Sequence, residues 1–227
     1  MKRILVVDVG GTHVKLMISP TEVRKFASGE KMAPKHFVAA LKKEVADWEY
    51  DAIAIGFPAV VKRGEIFAEP THLRKGWIGY QFAPALGKPV RVINDAAMQA
   101  LGSYKTGRTL FLGLGTGLGS TLIWDENVMP LELGRLPYKG GEIEYVLGNA
   151  GLQEIGEKHW RREVMDCLQR LRAAFIADRV VVGGGNARLL KKLPEGFERG
   201  DNRYAYAGGC RLWQMAPKTR RPKWNVL

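Results

Sequence analysis

Two short segments hold the side chains best suited to chemistry. The run Asp8-Val9-Gly10-Gly11-Thr12-His13-Val14-Lys15 combines a carboxylate, two glycines, a hydroxyl and a lysine, and Asn94-Asp95 sets an amide beside a second carboxylate. Gly10 and Gly11 can take positive φ and bring backbone N–H groups close to an anion, while Thr12 and Lys15 add a hydroxyl and a cation. Asp8 can hold a hydrated Mg²⁺ beside that anion. A Gly-Gly pair between two apolar runs is also what an ordinary hairpin requires, so these residues alone leave both readings open.

The elements that must position these groups follow from periodicity. An apolar β-branched run ends at Asp8 and a second resumes at Val14, predicting a hairpin, with a third short strand over 21–28. Phe37, Val38, Leu41, Val45 and Trp48 recur at helical spacing behind Pro34. The run 51–56 predicts a strand stopped by Gly56-Phe57-Pro58, and 69–80, with His72, Lys75 and Trp77, reads as loop. Strand 90–93 ends at Asn94-Asp95 and a helix is expected over 96–104. Asp95 therefore sits where a strand gives way to a helix, a position that collects active-site residues in α/β folds and equally suits an N-cap.

The pattern then begins again. A boundary is expected at Thr106-Gly107, dividing the chain into lobes 1–106 and 107–227. Strand 110–114, the turn Gly115-Thr116-Gly117 and strand 118–124 repeat the first hairpin, which suggests two related lobes, each offering N–H groups to part of an extended phosphate ligand. A long helix is expected over 157–176, and strand 179–182 runs into Gly183-Gly184-Gly185-Asn186, with a helix over 187–193 to follow. Residues 216–227 read as a basic tail or a late-docking segment. Neither G-x-G-x-x-G nor G-x-x-x-x-G-K-[ST] occurs, since Leu118 takes the last glycine position of the first pattern, so Rossmann and P-loop readings are not favoured.

Composition bounds these readings. Of 227 residues, 46% are apolar and 26% charged, as in ordinary folded proteins, so wholesale disorder is not expected. The net charge of +12 makes a polyanion a plausible partner, although solubility alone would explain it. Cys167 and Cys210 are isolated, which argues against a disulfide framework or a cysteine zinc site. No early segment reads as a signal peptide or membrane span, and the expected location is the cytoplasm.

With the glycine-bearing strand ends and Asn94-Asp95 placed, the sequence resembles the ROK sugar kinases of the actin/hexokinase/Hsp70-type ATPase fold, nearest their polyphosphate glucokinase branch. The resemblance runs in order through D-V-G-G-T-H-V-K (8–15), G-F-P-A-V-V (56–61), K-G-W-I-G (75–79), N-D-A (94–96), G-L-G-T-G-L-G-S (113–120), E-L-G (132–134) and V-V-G-G-G (181–185). It implies a two-lobed α/β fold with a duplicated, ribonuclease H-like core. It implies that Asp8, Gly10, Gly11, Thr12 and Lys15 form a first phosphate loop, with Asp8 toward Mg²⁺, and Gly115, Thr116 and Gly117 a second. Gly184 and Gly185 would lie at the distal end of the donor, which is polyphosphate or ATP. Asp95 would be the general base, while Asn94, Glu132, Gly56 and Pro58 would surround a glucose-like sugar. Such roles suit phosphoryl transfer, which needs positioning and charge neutralisation above all.

The chain also departs from its relatives. The cysteine cluster that binds zinc in many ROK kinases is absent, as in the polyphosphate branch, and Arg135 stands where that branch usually has a histidine touching the sugar. A guanidinium donates but cannot accept, which leaves the acceptor open. Basic residues at Lys75, Arg161, Arg162, Arg220 and Arg221 could hold a long polyanion. No specific nucleic acid is expected, and a homodimer remains open. Two rivals stand beside the kinase: a sugar- or phosphate-binding regulator without turnover, and a non-kinase ATPase or acyl-phosphate enzyme of the same fold. Against the regulator, Asp95 is intact and the chain opens directly on the first hairpin.

Overall fold

The computed structural model describes residues 2–201, 203–216 and 221–227. In chain order its elements are β1 (Ile4–Val9), β2 (His13–Met17), β3 (Val23–Ala27), α1 (Pro34–Glu44), β4 (Ala52–Phe57), β5 (Val61–Lys62), β6 (Glu65–Ile66), α2 (Phe82–Leu86), β7 (Val90–Asn94) and α3 (Asp95–Ser103). There follow β8 (Thr109–Leu114), β9 (Leu118–Trp124), β10 (Asn127–Leu131), β11 (Pro137–Tyr138), β12 (Gly141–Glu142), α4 (Ile143–Leu147), α5 (Asn149–Ala174), β13 (Arg179–Gly183), β14 (Phe197–Arg199), α6 (Tyr204–Leu212) and β15 (Asn225–Val226).

Two sheets repeat one topology. The first runs β3-β2-β1-β4-β7, antiparallel through β3, β2 and β1 and parallel from β1 through β4 to β7. Read from β10, the second runs β10-β9-β8-β13-β14 with the same sequence of antiparallel and parallel pairings, and β15 adds an edge strand beside β10. The recurrence of strand, glycine turn and strand in the sequence is thus the trace of two like sheets.

The apolar runs of β1, β4, β8 and β13 are buried on both faces, as parallel-sheet strands covered by helices must be. Alternation assigns each face. Leu5, Val7 and Val9 join α1, Trp77 and Phe82 in an outer core, while Ile4 and Val6 turn to an inner core shared with α3 and α6. In the second sheet Leu110, Leu112, Val180 and Val182 face α5, and Phe111 and Val181 face the inner layer. The helix pair α3/α6 therefore lies between the two sheets and joins them.

That joint depends on missing side chains. A Cβ on Gly208 of α6 would collide with the Met98 carbonyl of α3, and one on Gly102 of α3 with the Tyr204 carbonyl. Glycine disfavours helix formation, which is why the Gly208-Gly209 pair hides α6 in the sequence. Although α6 comes from the second half of the chain, it packs on α3 and on β1 and β4 of the first sheet.

One local expectation is overturned and two are made definite. The helix expected over 187–193 is a 3-10 turn over Gly185–Leu189, because the Leu190 carbonyl is taken by Arg199 and the chain must swing into β14. The long helix expected over 157–176 is present and ends at Ala174, but a further helical segment from Asn149 precedes it, the two parted at Gly156, whose φ of 74° is not helical. Residues 221–227 are docked: Trp224 is buried, edge-on to Tyr104 at 5.5 Å, and β15 pairs with β10. Arg220 lies outside the described residues. No described helix is long and apolar enough to cross a membrane.

Candidate active site

The parallel strands β1, β4, β7, β8 and β13 bring their carboxyl ends to one cleft between the sheets, where ligands collect in open α/β sheets. A cavity of about 400 Å³ opens there. Its walls include Gly11 from the first hairpin, Pro58, Asn94 and Asp95 from the first sheet, and Gly115, Thr116, Gly117, Glu132 and Gly184 from the second. Residues spread over more than 170 positions of chain thus meet at one place.

The two rival roles of Asp95 separate at the start of α3. The N-cap is Asn94, whose Oδ1 accepts from the Ala97 N–H at 3.1 Å while its Nδ2 donates to the Ala59 carbonyl at 3.2 Å. Asp95 is the first residue of the helix proper, its Oδ1 accepting from the Ala96 N–H at 2.9 Å. The carboxylate is pushed up to about 7, first by burial and then by the charges of Asp8 and Glu132, against the pull of backbone hydrogen bonds. Capping therefore needs no contribution from Asp95, whose carboxyl keeps its proton to a higher pH than an ordinary aspartate.

Asp8 is also raised by burial, with Lys15 drawing it back, and Lys15 Nζ stands 3.8 Å from Asp8 Oδ2. The pairing arises because Asp8 and Lys15 face each other across the β1–β2 ladder. Neither residue lines the cavity, nor do Gly10 and Thr12, which lie behind Gly11 in the same turn. Gly10 closes that turn by donating its N–H to the His13 carbonyl at 3.0 Å. Positive φ, which Gly10 and Gly11 are free to take, is found at neither. What glycine supplies is room, for a Cβ on Gly10 would sit 3.0 Å from the His13 carbonyl.

In the second loop the carbonyls of Gly115 and Thr116 accept from the Asn149 N–H at the start of α5, and Gly115 O also accepts from Asn186 Nδ2. Gly184 does take positive φ, 79°, and a Cβ there would strike the Leu114 carbonyl, so only glycine fits. Gly185 has open space around it but does not line the cavity. Gly56 is buried beneath Met98 and lets α3 lie close on β4, a packing place rather than a wall of the cavity.

Two cavity residues, Glu69 and Glu144, have no signal in the sequence, while Glu132, Arg135 and His72 are singled out there. Glu144, in the first turn of α4, lies against Gly117 and Gly134, where Cβ atoms would come within 3.0 Å of its side chain. Arg135 reaches Glu144 Oε1 at 3.2 Å and Glu142 Oε2 at 3.5 Å. Glu132 is raised by burial, with Arg135 pulling it down and Glu144 pushing it up. Glu69 and His72 line the cavity from the 69–80 loop.

No protein-family model matches the chain. The polyphosphate glucokinase of Mycobacterium tuberculosis is 26% identical over 214 residues, covering 82% of this chain and 78% of that protein. That of Mycobacterium leprae is 22% identical over 205 residues, covering 80% and 63%. Among solved structures, the inorganic polyphosphate/ATP-glucomannokinase of Arthrobacter sp. strain KM superposes with a TM-score of 0.78 at 21% identity, covering 92% of this chain and 97% of that one. A ROK family glucokinase from Streptomyces griseus, in complex with glucose and AMPPNP, gives 0.70 at 18% identity, covering 92% and 98%. The two-lobed fold is the one these sugar kinases share.

Proposed function

We propose that this chain, a ROK-type sugar kinase near the polyphosphate glucokinases, moves a phosphoryl group from polyphosphate or ATP to a hydroxyl of a hexose-like sugar, with Asp95 as general base. The observation that carries the reading is Asp95 itself: relieved of capping by Asn94, held at about 7, and placed on a cavity wall that also carries glycines of both phosphate loops.

The chemistry follows from these positions. A sugar hydroxyl is a poor nucleophile until its proton has an acceptor, and Asp95 supplies one as the new bond to phosphorus forms and the bond to the donor breaks. Glu132 offers an acceptor for a neighbouring hydroxyl, and Asn94 has one amide hydrogen left after its bond to Ala59. Backbone N–H groups around Gly11 and at Thr116 and Gly117 cradle the donor's phosphates, the Gly115 N–H being given to the Gly117 carbonyl at 3.1 Å, with Gly184 toward the donor's distal end.

The described residues form no cage of three or more metal-binding side chains. Mg²⁺ needs none, because it commonly takes one or two carboxylates and completes its shell with phosphate and water. Asp8, near enough to Asp95 to raise its pKa and partnered only loosely by Lys15, fits that role. When bound, the ion would neutralise donor charge beside the phosphate loops.

The test is turnover of glucose, mannose and related hexoses with Mg-ATP and with polyphosphate, alongside a thermal-shift screen of the same ligands. Sugar-dependent phosphoryl transfer supports the reading. A melting temperature raised by sugar, with no transfer from either donor, would replace it with the non-catalytic binding protein.

A further inference from the structure

The loop over 69–80 is more ordered than its composition suggests, and its construction points at one residue. The Glu69 carboxylate accepts from the Gly76 N–H at 3.0 and 3.1 Å and from the Trp77 N–H at 3.2 Å, stapling the two ends of the loop together. Trp77 is fully buried against Phe57 at 4.8 Å, and its indole N–H donates to the Arg74 carbonyl at 2.6 Å. Leu73 is buried in the same core. Between Glu69 and Leu73 the chain has little freedom, and His72 is held on the side facing the cleft.

There its side chain lies over the first phosphate loop. A Cβ built on Gly11 would be 3.4 Å from His72 Cβ and 3.6 Å from Cγ and Cδ2, ordinary van der Waals contact. His72 and Gly11 line the same cavity as Asp95, Thr116 and Gly117. The imidazole faces Gly11 across a gap wide enough to admit a methyl group and opens on the cavity that Asp95 also lines. His72 is itself exposed, and the staple holds the backbone that carries it at the cleft.

We infer that His72 is a catalytic residue that donates an N–H hydrogen bond to the phosphoryl group in transit, an inference that rests on the phosphotransferase reading. As the donor's P–O bond breaks and the bond to the sugar oxygen forms, the sugar proton goes to Asp95. Charge on the equatorial phosphoryl oxygens meets the imidazole N–H. The imidazole keeps its own protons throughout.

The experiment compares parent, His72→Ala and His72→Gln by steady-state kinetics with glucose and Mg-ATP or polyphosphate, with melting temperatures as a control on folding. An interaction made chiefly in the transition state lowers kcat while leaving KM for the sugar nearly unchanged. Expected is a kcat loss of about 10²-fold for alanine, the scale of removing one transition-state donor, with partial recovery for glutamine, which keeps an N–H. An alanine variant with parental kcat, or one whose loss falls wholly on the sugar KM, overturns the assignment while the kinase reading stands. A parent inactive with both donors on every hexose of the screen would overturn both.

Discussion

Replacing Asp95 by asparagine separates catalysis from architecture. The amide keeps the size of the side chain and an oxygen for the Ala96 N–H, and the helix cap belongs to Asn94, so α3 should form as before. What disappears is a buried charge. A carboxyl raised from 3.8 to about 7 binds its proton more tightly in the folded chain than in the unfolded one. Ionising it therefore costs stability, absent below about pH 4 and fully developed above about pH 7. At about 1.4 kcal/mol per pH unit the ceiling is about 4 kcal/mol, reduced because the cavity admits water. Asp95→Asn should accordingly melt higher than the parent at pH 8 and together with it near pH 4. Turnover should fall by about 10²- to 10⁴-fold, with sugar binding changed far less. In the parent, kcat/KM should rise with pH through an apparent pKa near 7 as the base loses its proton, and that limb should vanish in the variant. Scanning calorimetry across pH and a coupled assay measure both. Near-parental turnover by the asparagine variant, or a parental profile flat from pH 5 to 8, would refute the general-base argument.

Three further outcomes follow from the same geometry. Chelation should abolish transfer, and Asp8→Ala should lose activity while staying folded, as circular dichroism can check; full activity in excess EDTA would remove Asp8 from the metal role. Gly208→Ala places a methyl group against the Met98 carbonyl at the α3/α6 joint, and should cost about 1–3 kcal/mol in denaturant unfolding, as overpacking does. An unchanged midpoint would mean that the helices part without penalty. Arg135→Gln breaks exposed ion pairs to Glu142 and Glu144, worth under about 1 kcal/mol, so melting should barely move. The sugar KM should shift by about tenfold, equivalent to one contact of 1.4 kcal/mol. An unaltered KM across several hexoses would place Arg135 outside acceptor recognition.

Asn186 and α6 show how far reading along the chain can reach. Asn186 was visible only as the residue after three glycines, yet its amide ties the Gly115–Gly117 turn to Asn149 at the start of α5, donating to the Gly115 carbonyl at 3.3 Å and to Asn149 Oδ1 at 2.8 Å. Helix α6 was missed because helix propensity counts its glycines as a local cost, whereas the fold uses them to admit α3.

The sequence by itself determined both hairpins, the strands β1–β4, β7–β9 and β13 and the placing of Asp95 at a strand end, because alternation, glycine turns and apolar runs act between near neighbours; β10, β14 and β15 at the edges of the second sheet were not legible. It also carried the duplication, since each half repeats the same order of signals. Only the tertiary structure decided that Asn94, and not Asp95, caps α3, and that Asp8 and Glu132 come near enough to raise Asp95. It likewise turned Arg135 toward Glu142 and Glu144 and laid His72 over Gly11. Burial, charge coupling and steric contact depend on distances through space, and those exist only once residues far apart in the chain have closed around one cavity.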